Sequence, residues 1–131
     1  MALPTGSGSE LIQSAHFSGI GATSGGITDL ITGVDLHIYT VLSVIITNKT
    51  TRDNDTLNLY LYGYGGGNNE DLYYLYQKVA GSKETFVWND KFSFHGKGSN
   101  SGVQKLRFGT AGDNASSFDV HVTYIDQDWT N

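Results

Sequence analysis

Residues 39–62 read YTVLSVIITNKTTRDNDTLNLYLY, and this stretch decides the fold class. Its second part alternates strictly: Leu57, Leu59 and Leu61 fall on one side and Asn58, Tyr60 and Tyr62 on the other, the period of two of a half-buried strand. Its first part is apolar on both sides at its centre, with Leu42, Val44 and Ile46 on one face and Val41, Ser43 and Ile45 on the other. Such a strand belongs in the middle of its sheet. The run NKTTRDND between them carries Asn48, Asp53, Asn54 and Asp55, whose side chains bond local backbone and tolerate left-handed conformations. The stretch therefore reads as two long strands joined by a turn, the core hairpin of the protein.

Strand and turn signals continue on both sides. Upstream, Glu10–Ser18 reads as a first strand with Ile12 and Phe17 buried, and its imperfect period predicts an edge position or a bulge. Gly19–Gly33 is a glycine-rich loop holding one short strand at ITDLI. Downstream of a glycine-rich tip, GYGGGNNED, the next strand is Leu72–Val79; GSKE then makes a hairpin-type turn into TFVW. Phe92–His95 is short. In Val103–Phe108, Leu106 and Phe108 point inward and Lys105 and Arg107 outward. In Ser117–Ile125, Phe118, Val120, Val122 and Tyr124 oppose Asp119, His121 and Thr123. About eight strands at such spacing predict an all-β, antiparallel β-sandwich, jelly-roll or immunoglobulin-like, and both topologies stay open. Residues 1–9 read as a flexible N-terminal arm and 10–131 as a single β-sandwich domain.

Composition narrows the function classes. The 131 residues include 17 glycines, one proline and eight tyrosines, a strand-and-turn composition, and suffice to bury a core without a metal or disulfide. Cysteine is absent, which removes thiol nucleophiles, disulfides and thiolate metal sites. Eight Lys and Arg against 13 Asp and Glu give a formal charge of −5, and the scattered basic residues make no phosphate-backbone footprint, so no nucleic-acid partner is expected. No apolar run approaches the roughly 20 residues of a membrane helix, and the N-terminus lacks a signal-peptide pattern. The expectation is a soluble protein with no membrane partner.

Motifs for chemistry are missing. No glycine cluster completes a phosphate-binding fingerprint, and in GSNSG the position of a nucleophilic serine is taken by Asn100. His16, His37, His95 and His121 sit on four different predicted strands without metal-site spacing, and His121, on the polar face of its strand, reads as solvated or paired across strands. Asp53 and Asp55, and Asp126 and Asp128, complete no calcium loop. We therefore expect no catalytic residues, no metal and no cofactor.

The tyrosines are the more informative polar-face feature. Tyr60, Tyr62 and Tyr64 run out to the glycine tip, and Tyr73, Tyr74 and Tyr76 follow on the next strand, so pairing of the two strands would set tyrosines across from one another. Sheet packing explains such residues, and so does a contact surface, because tyrosine suits sites apolar at one end and wet at the other. The candidate partner-interface residues are Leu3, Leu11, Tyr60, Tyr62, Tyr64 and Trp129. A carbohydrate- or host-surface-binding module would use Tyr60, Tyr62, Tyr64 and Trp88.

The succession TLNLYLYGY, DLYYLYQKV, WNDKF at Trp88–Phe92, LRFGTA at Leu106–Ala111 and DVHVTYID at Asp119–Asp126 resembles small β-sandwich structural proteins of tailed bacteriophages. The likeness is greatest to those that cement or decorate the capsid, and it spans Val34–Asp126. It implies a non-enzymatic virion protein on the capsid surface, made in the host bacterial cytoplasm. The implied partner is the major capsid protein, bound by a homo-oligomer, a trimer or dimer. Related sandwiches serve at the neck and on fibres.

Overall fold

The structure, a computed structural model, describes residues 9–21, 26–53, 55–63, 72–97, 103–111 and 117–130. Nine strands fill it: β1 (Ser9–Ile20), β2 (Ile27–Thr32), β3 (His37–Asn48), β4 (Thr56–Tyr62), β5 (Leu72–Val79), β6 (Thr85–Trp88), β7 (Phe92–His95), β8 (Lys105–Ala111) and β9 (Phe118–Asp128). They form two antiparallel sheets. Sheet A runs β1-β9-β3-β6, with β7 also on β3, and sheet B runs β2-β8-β4-β5. The pairs are nested: β1 with β9, β2 with β8, β3 with β6 and β7, β4 with β5. The chain is one long hairpin, wrapped so that successive arms fall alternately in the two sheets, which is the jelly roll and excludes the immunoglobulin-like order.

This topology corrects the opening expectation. β3 is central, as its two apolar faces predict, but β3 and β4 lie in different sheets and are not a hairpin. The same holds for GSKE, which carries the chain from sheet B back to sheet A between β5 and β6. Both crossings lie side by side and are tied together. The buried Asn48 side chain donates to Arg52 O and Gly81 O, both at 2.8 Å, and accepts from Thr50 N at 3.0 Å and Thr50 Oγ1 at 2.9 Å. Lys83 N donates to Thr50 O at 2.9 Å, closing the gap between them. Asn48 thus does act in a turn, but a turn between layers.

At the other end the crossings touch through backbone. Gly33 N donates to Gln104 O, and Gly96 N to His37 O, each at 2.8 Å. A Cβ on Gly33 would lie 2.6 Å from Gln104 O, and one on Gly96 would overlap the Val34 carbonyl, so only glycine permits this approach.

The core lies between the sheets. Tyr39, Val41, Val44, Ile46, Phe86, Trp88, Phe94, Phe118, Val120 and Val122 from sheet A meet Ile31, Leu57, Leu59, Leu61, Leu106 and Phe108 from sheet B. Leu57, Leu59, Leu61, Leu106, Phe108, Phe118, Val120 and Val122 point inward as their alternation predicts. Leu42 does not join them. A bulge between Val41 and Ser43 shifts the register on β9, so Tyr39 and Val41 share the core face with Val44 and Ile46. On β1 the edge position and the bulge, between Phe17 and Ile20, are as expected, and Phe17 packs against the core. Ile12 is instead 76% exposed, because it shares strand parity with His16 and faces outward.

Candidate functional site

Two sheet faces and one corner hold the candidate residues. The outer face of sheet B is organised by Arg107. Its guanidinium lies 3.8 Å from the centre of the Tyr62 ring, and its Nε donates to Asp29 Oδ1 at 2.6 Å. Lys105 adds a second cation 3.4 Å from Asp29 Oδ2. Antiparallel pairing produces this cluster: Tyr60 faces Arg107, Tyr62 faces Lys105, and Asp29 faces Arg107 from β2. Opposite charges on adjacent strands, with a cation over an aromatic face, make a stable outer layer.

Tyr60 is on this face but is buried, which corrects its reading as a surface residue. Its ring lies 5.4 Å from that of Tyr74 and over Gly109, where a Cβ would come 3.5 Å from Tyr60 Cε1. An aromatic ring thus covers a glycine on the neighbouring strand. Burial pushes the Tyr60 phenol above its ordinary pKa, and the nearby Arg107 pulls against that rise. Tyr74 remains exposed, and Gln77 Nε2 donates to Asn58 Oδ1 at 2.9 Å further along. The pairing of β4 with β5 that sets tyrosines across from one another is therefore present. Trp88 is a core residue, edge-on to Phe92, and belongs to no surface platform.

The outer face of sheet A carries few charged side chains. Its rows read Glu10, Gln127, Ile38 and His95; then Ile12, Ile125, Thr40 and Ser93; then Ser14, Thr123 and Ser43; then His16, His121, Ile45 and Val87; then Asp119, Thr47 and Thr85. Hydroxyls pair with each other, Thr40 with Ser93 at 2.8 Å and Thr47 with Thr85 at 3.0 Å, so the polar side chains lie along the surface. Ile12, Ile45 and Val87 stand exposed among them. The carboxylates in these rows are Glu10 at one end and Asp119 at the other, the latter 3.5 Å from Lys49 Nζ.

The third feature is the end of sheet A where β1, β3 and β9 bring Leu11, His37 and Asp126 into adjacent registers. Leu11 has the strand parity of Phe17 yet is 56% exposed. His37 lies between two carboxylates, Nδ1 2.8 Å from Asp126 and Nε2 3.3 Å from Asp128. Hydrogen bonds from Thr130, hydroxyl and backbone N–H, hold the Asp128 carboxyl below the usual carboxylate range. Trp129 follows β9, donates its backbone N–H to Leu36 O at 2.9 Å, and closes a recess of about 320 Å³ with Leu36, His37, Ile38, His95 and Lys97.

The named interface residues therefore do not form one patch. Tyr60 and Tyr62 lie on sheet B, Leu11 on β1 and Trp129 just after β9 on sheet A, and Leu3 and Tyr64 outside the described residues. Sequence reasoning passed over the pairing of Arg107 with Asp29, and it read His121 as solvated or paired across strands without naming His16 as its partner, because each pair joins positions far apart in the chain. The signal present was parity: Asp29, Arg107, His16 and His121 each stand at strand positions opposite to buried ones.

No protein-family model and no curated protein matches the sequence. Among solved structures, a chain of the acid-stable capsid of Helicobacter pylori bacteriophage KHP30 superposes with a TM-score of 0.50 at 11% identity, over 88% of this chain and 86% of that one. The C-terminal family 22 carbohydrate-binding module of Clostridium thermocellum Xyn10B gives a TM-score of 0.51 at 14% identity, over 92% and 81%. A chain of infectious bursal disease virus, Gt strain, gives 0.53 at 10% identity, over 93% of this chain but 33% of that one. At these identities the likeness is one of fold: an all-β jelly roll of a kind also found in phage and virus capsids and in a carbohydrate-binding module.

Proposed function

We propose that this protein is a virion structural protein that binds and stabilises a phage capsid shell, as cement or decoration, through the outer face of sheet A and as a symmetric oligomer. The observation that carries the reading is the composition of that face: Ile12, Ile45, Val87 and Ile125 among mutually bonded Thr and Ser, on a chain whose net charge is −5. Charged residues are depleted at the centres of protein interfaces, and the middle rows of this face, from Ile12 to Val87, carry none. Repeated attachment to a lattice lets modest contacts give firm retention. The resemblance of WNDKF, LRFGTA and DVHVTYID to cement proteins, and the jelly-roll fold, support the same reading.

Purified protein incubated with expanded, undecorated phage capsids tests it. Saturable binding and a gain in the heat resistance of the shell are expected, and Val87→Glu together with Ile45→Glu abolishes both while the protein stays folded. Absence of saturable binding, or retention by the double variant, refutes the reading.

A second reading rests on sheet B. Tyr62 and the exposed Tyr74, with Arg107, Gln77 and Asn58, set aromatic faces beside amide and guanidinium groups, as a sugar platform does. Glycan-array binding lost on Tyr74→Ala favours it; an empty array removes it.

A further inference from the structure

His16 and His121 are 105 positions apart in the chain, yet directly opposite on β1 and β9. Their Nδ1 atoms are 2.8 Å apart and their ring centroids 4.3 Å. Between two neutral imidazoles this contact is one Nδ1–H donating to the other ring's Nδ1 lone pair. Both rings stand on the outer face of sheet A, beside a depression of about 270 Å³ that is also lined by Ser18, Thr47 and Asp119. β9 is held on both sides, by β1 and by β3, so the separation of the two side chains is set by strand register.

From this geometry we infer that His16 and His121 form a two-nitrogen chelate for a divalent transition-metal ion that prefers ligands at right angles, Cu²⁺ first and Ni²⁺ second. Metal–imidazole bonds are about 2.0–2.1 Å long, so two nitrogens at right angles about the ion lie about 2.9 Å apart, whereas a tetrahedral site needs about 3.3 Å. The observed 2.8 Å matches the right angle. Tetragonal nitrogen and oxygen sites are those of Cu²⁺ and Ni²⁺, and zinc sites are mostly tetrahedral. On binding, the ion takes the place of the shared proton. That proton moves to Nε2 of its own ring, both Nδ1 lone pairs turn to the metal, and two neutral rings release no net proton. Water fills the remaining positions. Asp119, two residues from His121 on the same face, contributes negative charge; its Oδ1 is already engaged by Gly19 N at 3.0 Å and lies 3.5 Å from Lys49 Nζ. Because only the folded chain brings the histidines together, bound metal stabilises the fold.

Titration of the full-length protein with Cu²⁺, Ni²⁺ and Zn²⁺, read by calorimetry and by thermal melting, tests the inference. One Cu²⁺ per chain is expected, with melting temperature raised in the order Cu²⁺, Ni²⁺, Zn²⁺, and with electron paramagnetic resonance showing two imidazole nitrogens. His16→Ala and His121→Ala each weaken Cu²⁺ binding by more than about tenfold, the lower bound for loss of even an outer-sphere partner, while His95→Ala leaves it unchanged. Metal-free melts establish that the variants are folded. In the unaltered protein, substoichiometric Cu²⁺ broadens nuclear resonances around His16 and His121 first. Failure of Cu²⁺ to bind, binding indifferent to both substitutions, a single coordinated nitrogen, broadening elsewhere, or a preference for Zn²⁺ each overturns it.

Discussion

Asn48→Ala is the sharpest test of how the two sheets are held in register. The side chain is fully buried and makes four hydrogen bonds, two donated to Arg52 O and Gly81 O and two accepted from Thr50. Each is worth about 1 kcal/mol net, and a buried group left unpaired costs about 1–3 kcal/mol. Arg52 is exposed and water replaces the bond to its carbonyl, while Gly81 O and Thr50 N are less accessible. The expected loss is about 3 kcal/mol, which is a large share of the roughly 5–15 kcal/mol stability of a domain. It lowers the melting temperature by roughly 10 °C for a chain of this size. Asn48→Asp is the companion variant, because it keeps the acceptor but sets a carboxylate oxygen against two carbonyls. It loses at least as much at neutral pH and recovers part of it in acid, where the protonated acid again donates. Urea unfolding analysed by linear extrapolation measures both. A loss below about 1 kcal/mol for Asn48→Ala, or an Asn48→Asp variant as stable as the unaltered protein, refutes the view that this side chain ties the crossings together.

Three further outcomes follow from the same structure. Burial raises the phenol pKa of Tyr39, Tyr60 and Tyr124 above their ordinary value near 10, so in the unfolded chain these groups ionise first. Their contribution to stability is therefore complete below about pH 10 and is lost as pH rises from there through the folded values, which unfolding curves combined with phenolate absorbance will show. Arg107→Met removes the cation from Tyr62 and leaves Asp29 with Lys105 alone; it costs about 1–2 kcal/mol in urea unfolding and raises the Tyr60 phenol further. Phe108→Ala, which empties the core beside Phe118, costs about 3–5 kcal/mol, whereas Ile12→Ala on the exposed face changes stability by less than about 0.5 kcal/mol.

The period of two along Leu57–Leu59–Leu61 and Phe118–Val120–Val122 was enough to determine an all-β sandwich and those inward residues, and the two apolar faces of β3 its central place, because both patterns are local properties of the strand. The same locality explains the errors at Leu42 and Ile12. At Leu42 a bulge adds one residue and exchanges the faces beyond it, and no propensity within the strand announces it; at Ile12 the register runs unbroken to Phe17, so with Phe17 inward Ile12 faces outward. Topology was hidden for a different reason. NKTTRDND and GSKE are turn sequences, and turn chemistry states that the chain reverses without stating whether it stays in its sheet. The crossings were decided by Asn48 reaching Gly81 and by the contact of Gly33 and Gly96 with backbone far along the chain. The surfaces follow the same division. Sequence alone marked Tyr62, Arg107 and His121 as outward-facing. Only the pairing of β8 with β4 and β2, and of β1 with β9, decided that Arg107 meets Tyr62 and Asp29 and that His16 meets His121, since cross-strand neighbours are set by register between distant segments.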